Sequence, residues 1–306
     1  MMMLTILGAT ATGKTSLAAH VAVRAHAEII SADSRQVYRG MDLGTGKDLD
    51  DYRVDGEPVA YHLIDIVEPG YAYNVYEFKR DFQKAFTDIS ERGKRVILCG
   101  GTGMYIEAVL GKYRLEKVPI NKPLRVSLKD KSMEELTEML TSMKRLHNRS
   151  DLSDRERLVR AIEIASAYRE EAAVPEPEIP SVIVGVELDR ATVRERITHR
   201  LHARLEEGMV EEVAALLHRG VDSERLLYYG LEYKYIVLHL LGQLSYEEMV
   251  KRLNIAIHQF AKRQMTWYRR MQRKGAVIHW VDGTLPMEER VAAVMAIWKA
   301  YGDYDG

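Results

Sequence analysis

Eight consecutive residues near the amino end, Gly8-Ala9-Thr10-Ala11-Thr12-Gly13-Lys14-Thr15, satisfy the pattern GxxxxGK[ST]. Glycines let such a loop fold back so that backbone N–H groups surround a phosphate at a helix N-terminus. Lys14 adds a point positive charge, and the Thr15 hydroxyl is of the type that holds Mg²⁺. The pattern predicts a polyphosphate binder without naming the polyphosphate. Phosphoryl-transfer enzymes also need a carboxylate near the loop. Asp33 is the nearest candidate, in the run Asp33-Ser34-Arg35-Gln36-Val37-Tyr38-Arg39-Gly40-Met41-Asp42. A strand-end carboxylate beside a phosphate loop is where doubly wound folds place chemistry, although an aspartate there also serves as an N-cap or turn residue. Gly100-Gly101-Thr102-Gly103-Met104-Tyr105 adds a hydroxyl on Thr102 and glycines that admit a ligand closely, or simply a strand-to-helix turn.

A different chemistry is suggested late in the chain. Residues 251–274 hold eight Lys or Arg and no acid, with Gln259, Phe260, Gln264, Trp267 and Tyr268 interleaved. At ~100° per residue, Lys262, Arg269 and Arg273 share one helix face, and Arg263 and Arg270 lie along its neighbour. Such a stripe attracts a phosphate backbone, and the aromatic rings can stack on bases or pack inward. A solvated face whose balancing acids lie elsewhere is the structural alternative.

The elements that must position these groups are legible from periodicity. Short apolar runs at 4–7, 28–31, 95–99, 181–186 and 276–281 read as strands of a parallel sheet. Amphipathic stretches at 16–24 and 78–92 read as crossover helices, the second stopped by Gly93. From 112 to about 172 there are only charged helical segments, at 133–146 and 154–168. The Pro-spaced stretch 174–180 then reads as an extended linker. Residues 190–273 read as almost wholly helical, and a last helix follows the final strand. The expected architecture is α/β, a P-loop NTPase-like parallel sheet flanked by helices. A discontinuous core, 1–112 with 181–306, is interrupted by a small helical insert, 113–180.

Of the 306 residues, 46% are hydrophobic and 29% charged, with 44 Lys and Arg against 45 Asp and Glu. That balance excludes a mainly disordered chain. The single cysteine, Cys99, excludes an intramolecular disulfide and a thiolate zinc knuckle. The first residues lack the basic start and apolar run of a secretory leader, and no stretch approaches the ~18 apolar residues of a membrane span. A cytoplasmic protein with no membrane contact is expected.

In this order, the segments resemble the tRNA dimethylallyltransferase family, which prenylates adenosine 37 beside the anticodon. The resemblance spans nearly the whole chain. It rests on the glycine-rich loop, on Asp33-Ser34 with Gln36-Val37-Tyr38-Arg39-Gly40-Met41-Asp42, and on Gly44-Thr45-Gly46-Lys47, Gly100-Gly101-Thr102 and Ala261-Lys262-Arg263-Gln264-Met265-Thr266-Trp267-Tyr268-Arg269. His62-Leu63-Ile64-Asp65, Arg157-Leu158-Val159-Arg160-Ala161-Ile162-Glu163, and Arg196-Ile197 with Arg200 add support.

The resemblance implies that the loop holds dimethylallyl diphosphate, with Arg200 and Mg²⁺ on Thr15 assisting. Asp33, Thr102 and Lys14 are then the catalytic set. Ser34, Arg35 and Gln36 would join Asp33 and Thr102 around an extruded base. Glu156, Arg157, Leu158, Val159 and Arg160, with Lys262, Arg263, Gln264, Trp267 and Arg269, would hold the anticodon stem-loop of tRNA, which the insert also contacts. A monomer is expected. The chain departs from the family where Gly230-Leu231-Glu232-Tyr233 replaces a Gly-Tyr pair, and where Leu146-His147-Asn148-Arg149-Ser150-Asp151 only loosely resembles a His-Pro-Asn-Asp turn. Competing readings are an ATP-dependent small-molecule kinase, an adenylate isopentenyltransferase acting on free nucleotide, and a non-catalytic RNA-binding P-loop protein.

Overall fold

A computed structural model describes residues 2–111, 118–143, 155–167 and 179–302. Residues 146–151 and 174–178, where the loosely matched turn and most of the Pro-spaced stretch fall, lie outside them. The chain divides into two compact units, Met1–Tyr113 with Glu178–Gly306, and Arg114–Pro177.

The larger unit is built on a parallel sheet. Its strands are β1 (Met3–Gly8), β2 (Ala27–Ser31), β5 (Tyr61–His62), β6 (Arg95–Gly100), β7 (Ser181–Glu187) and β8 (Ile278–Asp282), in the spatial order β5-β2-β6-β1-β7-β8. Each central strand is apolar on both faces because each face has its own cover. Leu4 and Ile6 of β1 face one cluster, with Ile97 of β6 and Val182, Val184 and Val186 of β7. Met3 and Leu7 face the other, with Val96, Leu98 and Ile183. This alternation at period two is the pleat expressed as burial. The first face is covered by α1 (Lys14–Ala25) and α12 (Met287–Tyr301). The second is covered by α2 (Val75–Glu91), α3 (Gly103–Val109) and the end of α11 (Tyr246–Arg273). A capping box of Asn74 and Glu77 opens α2, and Gly93, at φ +69°, follows its end.

A third cluster packs α7 (Arg190–Glu206), α8 (Met209–His218), α9 (Ser223–Leu226), α10 (Leu231–Leu240) and α11 against Ala9, Val37, Tyr38 and Met41, the loops leaving β1 and β2. The 190–273 stretch is thus five helices. Periodicity did not reveal β5, the 3₁₀ turn Leu49–Tyr52, or the antiparallel hairpin of β3 (Arg53–Val54) and β4 (Glu57–Pro58). The hairpin turns at Asp55-Gly56, both at positive φ, the ordinary two-residue solution.

The smaller unit contains α4 (Lys122–Leu128), α5 (Met133–Met143) and α6 (Arg155–Ala167), closed on Leu128, Leu136, Leu140, Leu158 and Ile162. Its polar centre is the buried carboxylate of Glu163. This accepts hydrogen bonds from Arg125 at 2.8 and 2.9 Å, Arg160 at 3.1 Å and the Asn121 N–H at 3.0 Å. Those donors, Arg125 foremost, hold its pKa down at about 2.

Candidate active site

Because β6 lies between β2 and β1, three loops leave the same edge of the sheet side by side. They are the Gly8–Thr15 loop, the segment after Ser31 that carries Asp33, and Gly101-Thr102. The structure joins them directly. Thr102 donates its N–H to the Ala32 carbonyl at 3.2 Å, and its hydroxyl accepts the Ser34 N–H at 3.1 Å. Gly100 permits this approach, since a Cβ there would lie 2.3 Å from the Ala32 carbonyl oxygen. Asp33 turns its own backbone, accepting the Arg35 N–H at 2.9 Å. The side chains of Asp33, Ser34 and Arg35 are half-buried and Gln36 is buried. Gln36 is occupied internally, donating to the Gly46 carbonyl at 3.0 Å and accepting from Ser31 at 3.0 Å.

Ala11 and Gly13 take left-handed backbone conformations in the phosphate loop, at φ +65° and +77°, and the Thr12 hydroxyl donates to the Ala9 carbonyl at 2.9 Å. Burial pushes the Lys14 ammonium below its ordinary range. The adjacent Cys99 thiol is itself pushed up to about 12 by burial, so at neutral pH it carries no balancing charge. Asp33 and Asp48 supply that charge instead, against the opposing field of Arg200. Arg200 reaches the loop from α7 and donates to the Thr10 hydroxyl. Burial, then the charge of Arg204, pushes its guanidinium down to about 10. Two cations whose charged forms are disfavoured by burial in one pocket favour an anionic ligand, which would stabilise both charges.

The loop from 33 to 48 is anchored from outside. The fully buried Lys47 ammonium donates to the Tyr38 carbonyl at 2.7 Å, to Asp42 at 2.5 Å and to Asp65. Glu212 of α8 accepts the N–H groups of Asp42 and Leu43, both at 2.8 Å, of Gly44 at 3.1 Å, and the Tyr233 hydroxyl at 2.7 Å. Arg204 grips Asp48 at 2.7 and 2.8 Å. Sequence reasoning assigned no role to Arg204, Asp48, Asp51 or Glu232, yet all four act electrostatically on Lys14 or Arg200. The spacing of Arg196, Arg200 and Arg204 by four residues, one helix face, was the available sign.

The basic helix divides by face. Lys262, Arg263, Arg269 and Arg273 are exposed. Arg270 leaves the stripe: it pairs with the buried Glu107 at 2.6 Å and stacks over Trp267 at 3.9 Å. Gln264 also turns inward, correcting its expected place on a nucleic-acid surface. Its amide donates to the Gly101 carbonyl at 3.0 Å and its oxygen accepts the Thr10 N–H at 2.9 Å. Trp267 packs on Gly103, where a Cβ would come within 2.2 Å of the ring, and the Tyr268 hydroxyl lies 3.2 Å from the carbonyls of both Gly8 and Gly101. This face of α11 braces the phosphate loop. A cavity of about 580 Å³ opens between β7, α7 and α11, bordered by Ala9 and Thr12 and rimmed by Arg190, Arg194, Lys262 and Arg269.

In the smaller unit, Glu156 and Arg157 are exposed and Val159 is half-buried. Leu158 is fully buried in that unit's core, so its side chain offers no surface to RNA, a second correction. Arg160 is bound to Glu163 and, at 2.7 Å, to the Val118 carbonyl. Thr15 sits half-buried at the start of α1. Among the described residues no helix is long and apolar enough to cross a membrane.

The fold and this site define a P-loop protein of the doubly wound α/β class, with its glycine-rich loop at the strand ends. A family model described as IPP transferase matches residues 36–271. The chain is 56% identical over 297 residues to tRNA dimethylallyltransferase 1 of Parabacteroides distasonis, covering 96% of this chain and 97% of that one. It is 57% identical over 295 residues to tRNA dimethylallyltransferase 2 of Phocaeicola vulgatus, covering 96% of each. Among solved structures it is similar to the tRNA isopentenylpyrophosphate transferase of Bacillus halodurans, with a TM-score of 0.71 and 28% identity, covering 98% and 97% of the two chains. The chain belongs to the IPP transferase family.

Proposed function

We propose that this chain transfers the dimethylallyl group of dimethylallyl diphosphate to N6 of adenosine 37 in tRNA, releasing diphosphate. The observation that carries the reading is the meeting of Lys14 and Arg200, both depressed by burial, with the Asp33 carboxylate at one strand-end site. A full-length likeness to tRNA dimethylallyltransferases supports it over a kinase or a free-nucleotide prenyltransferase.

N6 of adenine is a weak nucleophile, because its lone pair is conjugated with the ring, so the leaving group and the departing proton must both be assisted. The lone pair attacks C1 of the prenyl group, the C1–O bond breaks, and its electron pair leaves with the diphosphate. The loop N–H groups, Lys14 and Arg200 stabilise the charge that develops on that oxygen. Asp33 accepts the N6 proton as the C–N bond forms. Thr102, locked to Ser34 at the next strand end, positions the amine. The base must leave its stack to reach this depth, and Lys262, Arg263 and Arg269 supply an exposed cationic surface for the anticodon stem-loop.

Among the described residues no group of three His, Cys, Asp or Glu could cage a metal. Thr15, with its hydroxyl at the start of α1, would hold Mg²⁺ brought in with the diphosphate. The ion would supply further neutralisation of the leaving group.

Asp33→Ala tests the reading. Single-turnover transfer of labelled prenyl donor to tRNA should fall ~10²-fold or more, while diphosphate binding stays close to wild type. Unchanged turnover would remove Asp33 from the reaction, and turnover of ATP without tRNA would restore the kinase reading.

A further inference from the structure

One wall of the phosphate loop is formed by a residue that neither the motif nor the resemblance picks out. Arg290 lies in the first turn of α12, a helix otherwise committed to packing through Val291, Val294 and Trp298. Its Nη1 lies 3.7 Å from the point where a Cβ on Gly13 would stand. Gly13 is the left-handed residue immediately before Lys14, the N-cap of α1. A Cβ there would only touch the guanidinium at ordinary van der Waals distance, so it is the φ of +77° that calls for glycine, and the distance places Arg290 beside the loop.

The environment of Arg290 is unusual for an arginine with a purely structural duty. Its Nε is buried and has no hydrogen-bond partner. The charged group that acts on it is Arg196 of α7, a like charge, and burial with that repulsion lowers its pKa. Among the described residues no acid forms an ion pair with either arginine. Arg196 stands one helical turn before Arg200, which touches Thr10 of the same loop. Arg196 is exposed and Arg290 half-buried, so the repulsion between them is modest, and an anion bound at the Arg290 guanidinium would offset it. A planar fork with unused donors matches phosphate oxygens better than any other common anion-binding group.

We propose that Arg290, assisted by the charge of Arg196 on α7, binds the terminal phosphoryl group of the donor's diphosphate, making the C-terminal helix part of the prenyl-transfer site. The proposal rests on the reading of the Gly8–Thr15 loop as a diphosphate site. Arg290 would hold the phosphoryl group farther from the prenyl carbon, and so would count in binding both the donor and the released diphosphate.

The test is calorimetric titration of inorganic pyrophosphate with Mg²⁺ into the full chain, paired with steady-state kinetics. Arg290→Gln should weaken pyrophosphate binding about tenfold or more, as loss of a charged hydrogen bond does. The KM for dimethylallyl diphosphate should rise in parallel while the KM for tRNA stays unchanged. Arg290→Lys should recover only part of the loss, since an ammonium lacks the fork. Arg196→Gln, on a different helix, should weaken the same ligand.

The ligand-free melting temperature of Arg290→Gln should equal or exceed that of wild type, because a like-charge repulsion and a buried unpartnered Nε are removed. Wild-type pyrophosphate affinity in both Arg290→Gln and Arg196→Gln would overturn the assignment. So would a lowered ligand-free melting temperature with intact binding. Lys14→Ala separates the two layers of inference. If it abolishes binding while Arg290→Gln does not, only the role of Arg290 fails. If the wild type itself takes no pyrophosphate, the diphosphate reading falls with it.

Discussion

Two loops at the strand ends carry this site, and they are held in shape by different means. Residues Gly8–Thr15 largely shape themselves. Ala11 and Gly13 adopt left-handed conformations, Thr12 bonds back to Ala9, and the loop runs directly into α1. The segment from Asp33 to Asp48 is longer and is shaped by groups distant in sequence. Asp65 secures Lys47, Glu212 collects three consecutive N–H groups, and Arg204 fastens Asp48 across 156 positions. The first loop therefore carries most of its conformational determinants inside its motif, with Gln264, Tyr268 and Arg200 bracing it from outside. The second owes its geometry to the helical layer packed over it, so the acceptor side of the site depends on the whole larger unit being folded.

That contrast breaks most sharply at Lys47. Lys47→Met keeps the length and burial of the side chain but removes the donor from the Tyr38 carbonyl, Asp42 and Asp65. The side chains of Asp42 and Asp65 are 56% and 35% exposed, so water can resolvate them in part. A stability loss of about 2 kcal/mol is expected, below the figure for a fully buried pair. Because the loop that aims Asp33 loses its anchor, kcat should fall about 10–100-fold, with pyrophosphate affinity nearly unchanged. Denaturant melts, single-turnover assays and titration measure the three quantities. Equal damage to pyrophosphate binding would mean that the two loops are not independently held.

The same contrast explains which parts can be read from sequence. Strands such as Ile97-Leu98 and the run Val182-Ile183-Val184 announce themselves because burial on both faces demands unbroken apolar residues. The phosphate loop is legible for the reason just given, and Asp33 and Thr102 because strand ends of a parallel sheet converge. Gln264 and Leu158 are misplaced by sequence because a motif says which residues recur together, not which helix face turns inward. Gln264 lies three positions from Ala261, and that buried face, continuing through Tyr268, is set by packing on Gly101 and Gly103. Arg204, Glu232 and Arg290 escape because a single charged residue on an amphipathic helix looks like solvent-facing surface. Only the tertiary fold brings Arg204 and Glu232 to act on Arg200, and Arg290 to Gly13.

A second test lies off both loops. Lys262→Ala combined with Arg269→Ala removes two exposed cations from the outer face of α11 while leaving the inward braces Gln264, Trp267 and Tyr268 in place. Affinity for an anticodon stem-loop should drop about tenfold near physiological salt. The slope of log K against log salt should flatten by about one unit for each phosphate no longer neutralised. Turnover at saturating RNA and the melting temperature should stay near wild type. A lowered melting temperature with an unchanged salt slope would show these residues to be part of the solvated scaffold, with the RNA surface elsewhere.

The smallest expected effect sharpens the comparison from the phosphate side. Gln264→Leu deletes the one side-chain amide that ties Thr10 of the loop to Gly101 of the neighbouring strand end, at 2.9 and 3.0 Å. Leucine fills much of the same buried space, so the loss is chiefly of polar partners. The Thr10 N–H is half-buried and the Gly101 carbonyl retains the Tyr268 hydroxyl at 3.2 Å, which together limit the cost to about 1–2 kcal/mol. If Gly8–Thr15 holds its own shape, the KM for the prenyl donor should rise only about two- to fivefold and kcat should barely move. A loss of donor binding as large as that of Lys14→Ala would instead mean that the loop is borrowed structure, held by α11 as the Asp33 segment is held by Lys47 and Glu212. The difference between the two loops would then be one of degree.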